Sequence, residues 1–348
     1  MFAEVRAKAT GLDRGSVIAV ITITLLHLIG WGGLLLLVVP SGVNLGDTAG
    51  GLATLGVGLT AYALGMRHAF DADHIAAIDN TTRRFVDRGR PTSAIGFWFS
   101  LGHSTIVFAL CVVLTVGISA AGSALRDDGS SWMVATGMWG PTVSGVFLLV
   151  IAAVNVRSLV VRRRADSDSA AAASGGMMWR LLGSFDRVVD RPWRMYVVGL
   201  LFGFGFDTAT EIGLLALAGA ASLSHVPWWA VLTLPVLFAA GMSLLDTTQG
   251  AVMRRAYAWS PDGPDALRRR SRAQTYSIAM TGLSVVVAVV IGGVELAEVA
   301  TTAFGWGGPV AWLGALDIDD LGLWLTGLLL ATWAVVFVKT RRESPSAV

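Results

Sequence analysis

Apolar residues along this chain gather in long runs, without the alternation of a half-buried strand or the narrow stripe of a surface helix. The runs fall near 17–39, 52–77, 94–119, 141–161, 195–222, 228–252, 275–297 and 321–338. Each is roughly 20 residues or longer, the length an α-helix needs to cross about 30 Å of hydrocarbon. The pattern predicts an all-α, polytopic integral membrane protein of about eight transmembrane helices. Composition supports this: 54% of the 348 residues are hydrophobic and 14% charged, and the mean hydropathy is +0.65. Little is left for a separate soluble module, so 1–348 reads as a single membrane domain. An Arg, Ser, Ala and Gly-rich stretch, "RRRADSDSAAAASGG", opens a flexible linker over about 162–192 between spans 4 and 5. The Gly and aromatic-rich segment "TTAFGWGGPVAW", 301–312, is expected at headgroup depth, where Trp is favoured.

Charge orients the spans. Arg6, Lys8 and Arg14 precede span 1, and Arg83, Arg84, Arg88 and Arg90 follow span 2. Further basic groups lie between Arg162 and Arg194, between Arg254 and Arg272, and at Lys339, Arg341 and Arg342. The intervening loops hold Arg126 among Asp47, Asp127, Asp128, Glu298, Asp317, Asp319 and Asp320. This alternation predicts that both termini face the cytoplasm of a cell membrane. The first run is longer than a signal peptide's apolar region and no small-residue cleavage site is evident, so span 1 is expected to be retained.

Several functions are excluded or disfavoured. The formal net charge of +2 is small and its arginines lie in loops, which argues for a topology signal rather than nucleic-acid binding. The single cysteine, Cys111, cannot build a disulfide framework or a thiolate metal cluster within one chain. Neither lysine, Lys8 or Lys339, lies in a G-x-x-x-x-G-K-[ST] loop, so ATP hydrolysis by that route is absent.

Ionisable groups inside spans cost several kcal/mol each and mark candidate sites. They concentrate at four places. In "RHAFDADHIAAIDN", 67–80, a continuous helix would put Arg67, His68, Asp71 and His74 on one arc, with Asp73 elsewhere unless the helix unwinds locally. Imidazole with carboxylate suits a borderline divalent cation such as nickel, cobalt or zinc. The bland alternative is that Arg67 pairs with the acids and helix neighbours satisfy the histidines. In "SLGHSTIV", 100–107, His103 and Ser104 follow a glycine that permits close helix approach. In "GFDTATEIG", 205–213, Asp207 and Glu211 are i, i+4 on one face, a like-charge pair that wants a cation or proton; Thr208 and Thr210 add hydroxyls. In "GMSLLDTTQG", 241–250, Asp246 lies towards the cytoplasmic end, where a water-facing acid is the plain alternative.

Asp71, Asp73, Asp207, Glu211 and Asp246 outnumber Arg67 by four formal charges, an excess that must protonate, pair or hold a cation in low dielectric. "FDADHI" at 70–75 faintly echoes "FDTATEI" at 206–212, which suggests an inverted-topology repeat with the site at its interface. The reading is a divalent-cation transporter. The alternative from another class is a membrane-embedded metal-dependent hydrolase, but no H-E-x-x-H occurs and five histidines are few for a multi-His enzyme.

At these residues the chain resembles the nickel/cobalt transporter (NiCoT) family of secondary permeases. "RHAFDADHI" carries the family's His-x4-Asp-His signature, and "SLGHS", "GFDTATE" and "GMSLLDTTQ" match its motifs in the third, fifth and sixth spans. The resemblance implies a metal site of His68, Asp71, Asp73, His74 and His103. It implies a path past Arg67, Ser104, Asp207, Thr210, Glu211 and Asp246. It further implies eight helices, cytoplasmic termini, and uptake of Ni2+ or Co2+ as transported substrate, with no permanent cofactor and no ATPase subunit. The chain departs from the family at Gln249, where aspartate is usual; a charge-dependent role there is not carried over.

Overall fold

The computed structural model describes residues 14–45, 51–115, 131–166, 189–204, 226–258 and 266–316, with single positions at 327 and 331. Helix α1 (Arg14–Gly33) runs on through a π-helical turn, Leu34–Val38. It is followed by α2 (Gly51–His68), α3 (Ala72–Asp87), α4 (Ile95–Thr115) and α5 (Ser131–Asp166). A 3-10 turn, Pro192–Arg194, leads into α6 (Met195–Phe202); then come α7 (Trp228–Val231), α8 (Thr233–Ala258), α9 (Ala266–Phe304) and α10 (Pro309–Gly314). No strand occurs among the described residues, as the unbroken apolar runs predict.

Among the described residues five helical stretches are long and apolar enough to cross a membrane: Arg14–Val38, Ile95–Val113, Met138–Arg157, Trp228–Arg255 and Thr281–Phe304. They coincide with the expected spans 1, 3, 4, 6 and 7. Of span 5 only 195–204 is described, and span 8 and the acids at 207 and 211 lie outside the described residues, as does the half that would test an inverted repeat. The linker expected over 162–192 is described only at its edges, where α5 continues to Asp166 and the Pro192–Arg194 turn begins.

Span 2 differs from the expected continuous helix over 52–77. α2 ends at His68, and Asp71 is extended (φ −64, ψ 141) before α3 starts. Here the backbone amides of Phe70 and Asp71 donate to the carbonyls of Arg67 and His68, i→i−3 bonds that tighten the last turn of α2. Such a break is tolerated at membrane depth because it is enclosed by protein. α3 is itself polar in its second half, "DNTTRR", yet every residue from His74 to Phe85 is buried. It is a polar helix inside the bundle, in contact with α4, α5, α8 and α9.

Two apolar clusters flank this region. One gathers Ile75, Phe99, Ile151, Met195 and Phe202 from α3 to α6; the other gathers Leu34, Val107, Leu234 and Phe238 from the π-helical turn, α4 and α8. Glycines set the closest crossings, since without a Cβ two backbones can touch. A Cβ on Gly65 of α2 would fall on the backbone of Phe238 in α8, and one on Gly241 would meet the carbonyl of Tyr62. Between α4 and α6, Gly102 abuts Tyr196 and Gly199 abuts the carbonyl of Phe99. The expected interfacial segment turns back at Gly305 and Gly308, both with φ near 65, a conformation that favours glycine. It leaves Phe304, Trp306 and Trp312 exposed.

The crossings generate a stability contrast. Gly199→Ala should destabilise the protein by about 1–3 kcal/mol or prevent folding, because the methyl meets backbone. Gly32→Ala, with open space around its Cβ, should change stability by less than about 0.5 kcal/mol. Thermal unfolding of the purified variants in detergent checks both; equal midpoints would contradict the packing described.

Candidate metal centre

The break after α2 and the start of α3 bring their polar residues to one enclosed point. His68 ends α2, His74 lies in the first turn of α3, and His103 comes from mid-α4; all three are buried. One ring nitrogen from each lies within 4.8 Å of the other two. His68 Nε2 and His103 Nε2 face each other at 3.0 Å. Two nitrogens that each stand about 2.0–2.1 Å from one ion are separated by roughly 3.0–3.4 Å. The donor set therefore fits a divalent transition metal with small side-chain adjustments.

The surrounding groups hold the rings. His68 Nδ1 lies 2.7 Å from Asp71 Oδ2, an ion-pair contact, and Arg67 donates to Asp71 Oδ1 at 2.8 Å. A carboxylate beside Nδ1 favours the tautomer protonated there, with Nε2 left to bind a metal. Asp71 sits at the N-cap of α3 but makes no side-chain capping bond; its carboxylate faces Arg67 and His68 instead. Asp73 takes over near the helix start, where its Oδ1 accepts the backbone N–H of His74 at 2.8 Å and its charge complements the positive end of the helix dipole. Aromatic rings close the walls. Phe99 meets His74 edge-on at 4.8 Å between centroids, and Phe238 lies 5.6 Å from His68.

Asp246 of α8 is fully buried. Its Oδ2 lies 4.0 Å from His74 Nδ1, beyond hydrogen-bond range. Neither of its oxygens has a hydrogen-bond partner among the described residues. The sequence reading placed it further along the path, with a water-facing position as the plain alternative; in the structure it borders the imidazoles. Ser104 Oγ donates to Met242 Sδ at 3.5 Å, towards α8. Asp207, Thr210 and Glu211 lie outside the described residues.

Sequence reasoning passed over a hydroxyl pair that fastens α4 to α8: Ser100 Oγ donates to Ser243 Oγ at 2.6 Å. It also used neither Asp79 nor Asn80, although both sit in the quoted stretch. The available signal was their i, i+5 and i, i+6 spacing from His74 on a helix whose polar residues have no lipid-compatible face.

A polytopic helical membrane protein with an enclosed, imidazole-lined chamber is the class that fold and site define. The chain belongs to the family of high-affinity nickel-transport proteins, whose match spans residues 54–339. It is similar to the nickel transporter NicT of Mycobacterium tuberculosis, 48% identical over 328 residues, 91% of this chain and 86% of that protein. It is 40% identical to the nickel transporter NixA of Staphylococcus aureus, over 80% of this chain and 83% of that one. The cobalt transport protein NhlF of Rhodococcus rhodochrous is 40% identical, with 82% of each chain covered. No solved structure matches the chain. Family membership makes this chain a transport protein rather than an enzyme, and the hydrolase alternative is set aside.

A buried acid without a hydrogen-bond partner weakens the fold that contains it. In metal-free solution Asp246→Asn should raise stability by about 1–3 kcal/mol. Thermal unfolding in detergent with a chelator measures this, and a lowered midpoint would count against it.

Proposed function

We propose that the protein is a secondary transporter that takes up Ni2+, Co2+ or both across the cytoplasmic membrane, with its termini in the cytoplasm. The observation that carries this reading is the buried triad of His68, His74 and His103, with donor nitrogens within 4.8 Å of one another and the buried carboxylate of Asp246 4.0 Å from His74 Nδ1. Relatives named for nickel and for cobalt transport support the substrate class. The alternation of basic loops supports the orientation.

In this mechanism the three imidazoles grip the dehydrated cation, and Asp246 balances part of its charge. Asp71 acts through His68: it holds the ring and raises its basicity, with Arg67 restraining the carboxylate in turn. Asp73 keeps the first turn of α3 in place and adds negative potential. Ser104 lines the route beside His103, while Asp207, Thr210 and Glu211 serve as further path residues on the strength of the motif alone. Inward movement of a dication releases about 4.6 kcal/mol per 100 mV of inside-negative potential, enough for more than a thousandfold accumulation. That drive needs no ATPase subunit. Protons compete for the same ring nitrogens, so proton gradients modulate the flux.

Uptake of radiolabelled nickel and cobalt into proteoliposomes under an imposed potential is the test. The unaltered protein should accumulate at least one of the two metals, and ions left outside would end the proposal. His68→Ala, His74→Ala and His103→Ala should each abolish uptake while the protein still inserts. Asp71→Asn should weaken nickel binding by roughly 10–100-fold, measured by equilibrium dialysis.

Protonation removes the lone pair that binds metal, so the sign of the pH effect is fixed. Initial uptake should fall as the outside pH is lowered from about 7.5 to 5, the histidine range. A flat profile over that range would contradict imidazole ligation.

A further inference from the structure

One buried polar assembly has no part in metal ligation. It lies on the second half of α3, beyond the chamber and towards the arginine-rich end of the bundle. Asn80 is its hub: its side-chain amide donates to the carbonyls of Ala76 (2.9 Å) and Ser284 (3.3 Å). Its Oδ1 accepts from Asn155 Nδ2 of α5 at 2.9 Å. Beside it Ser284 Oγ of α9 donates to Asp79 Oδ2 at 2.6 Å. One turn further on, Arg83 Nε donates to Thr281 Oγ1 of α9 at 2.7 Å. Asp79, Asn80, Thr81, Thr82, Arg83 and Arg84 are each no more than 3% exposed.

We infer that this half of α3 is the inner gate of the transport route, a polar plug tied to α5 and α9. The inference rests on the transport reading and orientation proposed above. α3 begins inside the chamber at Asp73 and His74 and continues towards the arginine-rich side, so it borders the way from the site to that face. Asp79 follows His74 by five residues, a rise of roughly 7.5 Å along the helix. Its plug is made of groups that water can solvate when they separate, unlike the leucines and phenylalanines that line the lipid-side contacts. The ties that Asn80, Asn155 and Ser284 make are hydrogen bonds from side chains, whose net worth of about 0.5–1.5 kcal/mol each allows them to be exchanged for water during a transport cycle. The buried guanidiniums of Arg83 and Arg84 outnumber the carboxylate of Asp79 at the plug, a net positive charge that opposes passage of a cation while it is closed and lets Arg83 withdraw to the aqueous face when it opens. Asn80, Asn155, Ser284 and Thr281 are therefore positioning residues, not ligands.

The test uses the full chain with Cys111→Ala and a reporter at Ala76→Cys, on α3 between chamber and plug. A membrane-impermeant maleimide is applied to oriented vesicles from either face, without metal. With the ties intact, labelling from the cytoplasmic face should be slow. Asn155→Ala and Thr281→Val should each speed it about five- to tenfold, the factor a lost hydrogen bond gives an opening equilibrium. Labelling from the outer face should not change, and Thr281→Ser, which keeps the hydroxyl, should restore the slow rate. Nickel binding by the same purified variants should stay within about twofold of the unaltered protein, since their chamber is intact. Unchanged cytoplasmic labelling, or an equal rise from both faces, would overturn the gate. Failure of nickel to bind the unaltered protein would instead strike the transport reading, because the labelling contrast needs no metal.

Discussion

The carboxylate of Asp71, held between the guanidinium of Arg67 and the ring of His68, is the interaction on which the rest of the centre depends. It compensates two polar groups that the membrane interior would otherwise penalise. Asp71 itself stands in the break, where the chain leaves α2 at His68 and re-enters a helix four residues later. That short break changes what one span can do. A continuous helix would offer its polar residues along a single face; two helix ends meeting at the chamber offer a terminal imidazole and a first-turn imidazole together.

The chamber is completed by elements remote in sequence. α4 contributes His103 and the wall residue Phe99, and α8 contributes Asp246 and Phe238. Their approach is possible because glycines stand where backbones touch: Gly65 and Gly241 between α2 and α8, and Gly96 of α4 against the backbone of Asp246. The Ser100–Ser243 hydrogen bond fixes the register of α4 on α8, and with it the spacing between His103 and Asp246. Fold and candidate site thus rest on the same contacts, and the residues that look like spacers in the motifs are those that let the imidazoles and Asp246 converge.

Much of this was legible in the sequence. Apolar length alone gave a polytopic helical protein, and polar residues in the runs gave His68, His74 and His103 as candidates, because charge or imidazole within a span has few other uses. The break at 69–71 was harder to see, since Ala69, Phe70 and Ala72 keep the run apolar, and Arg67, His68 and Asp71 stand at the i, i+3 and i, i+4 spacings of an unbroken helix. The place of Asp246 was hidden for a related reason: position along a span gives depth but not which neighbour the side chain meets. The Asn80, Asn155 and Ser284 network was least visible, as its members lie 75 and 204 residues apart and each alone resembles an ordinary polar residue at a span end.

Gly102 and Gly199 leave α4 and α6 in backbone contact, and this has a mechanical consequence. Side chains between helices act as compliant spacers that can change rotamer and absorb a shift, but two main chains in contact have nothing left to yield. α4 and α6, joined in the same way to α8 at Gly96 and through α8 to α2 at Gly65 and Gly241, therefore travel as one stiff plate, carrying His68, His103 and Asp246 with them. Any opening of the chamber is confined to seams where long side chains separate the partners, and its amplitude is set by hinging of other helices around that plate.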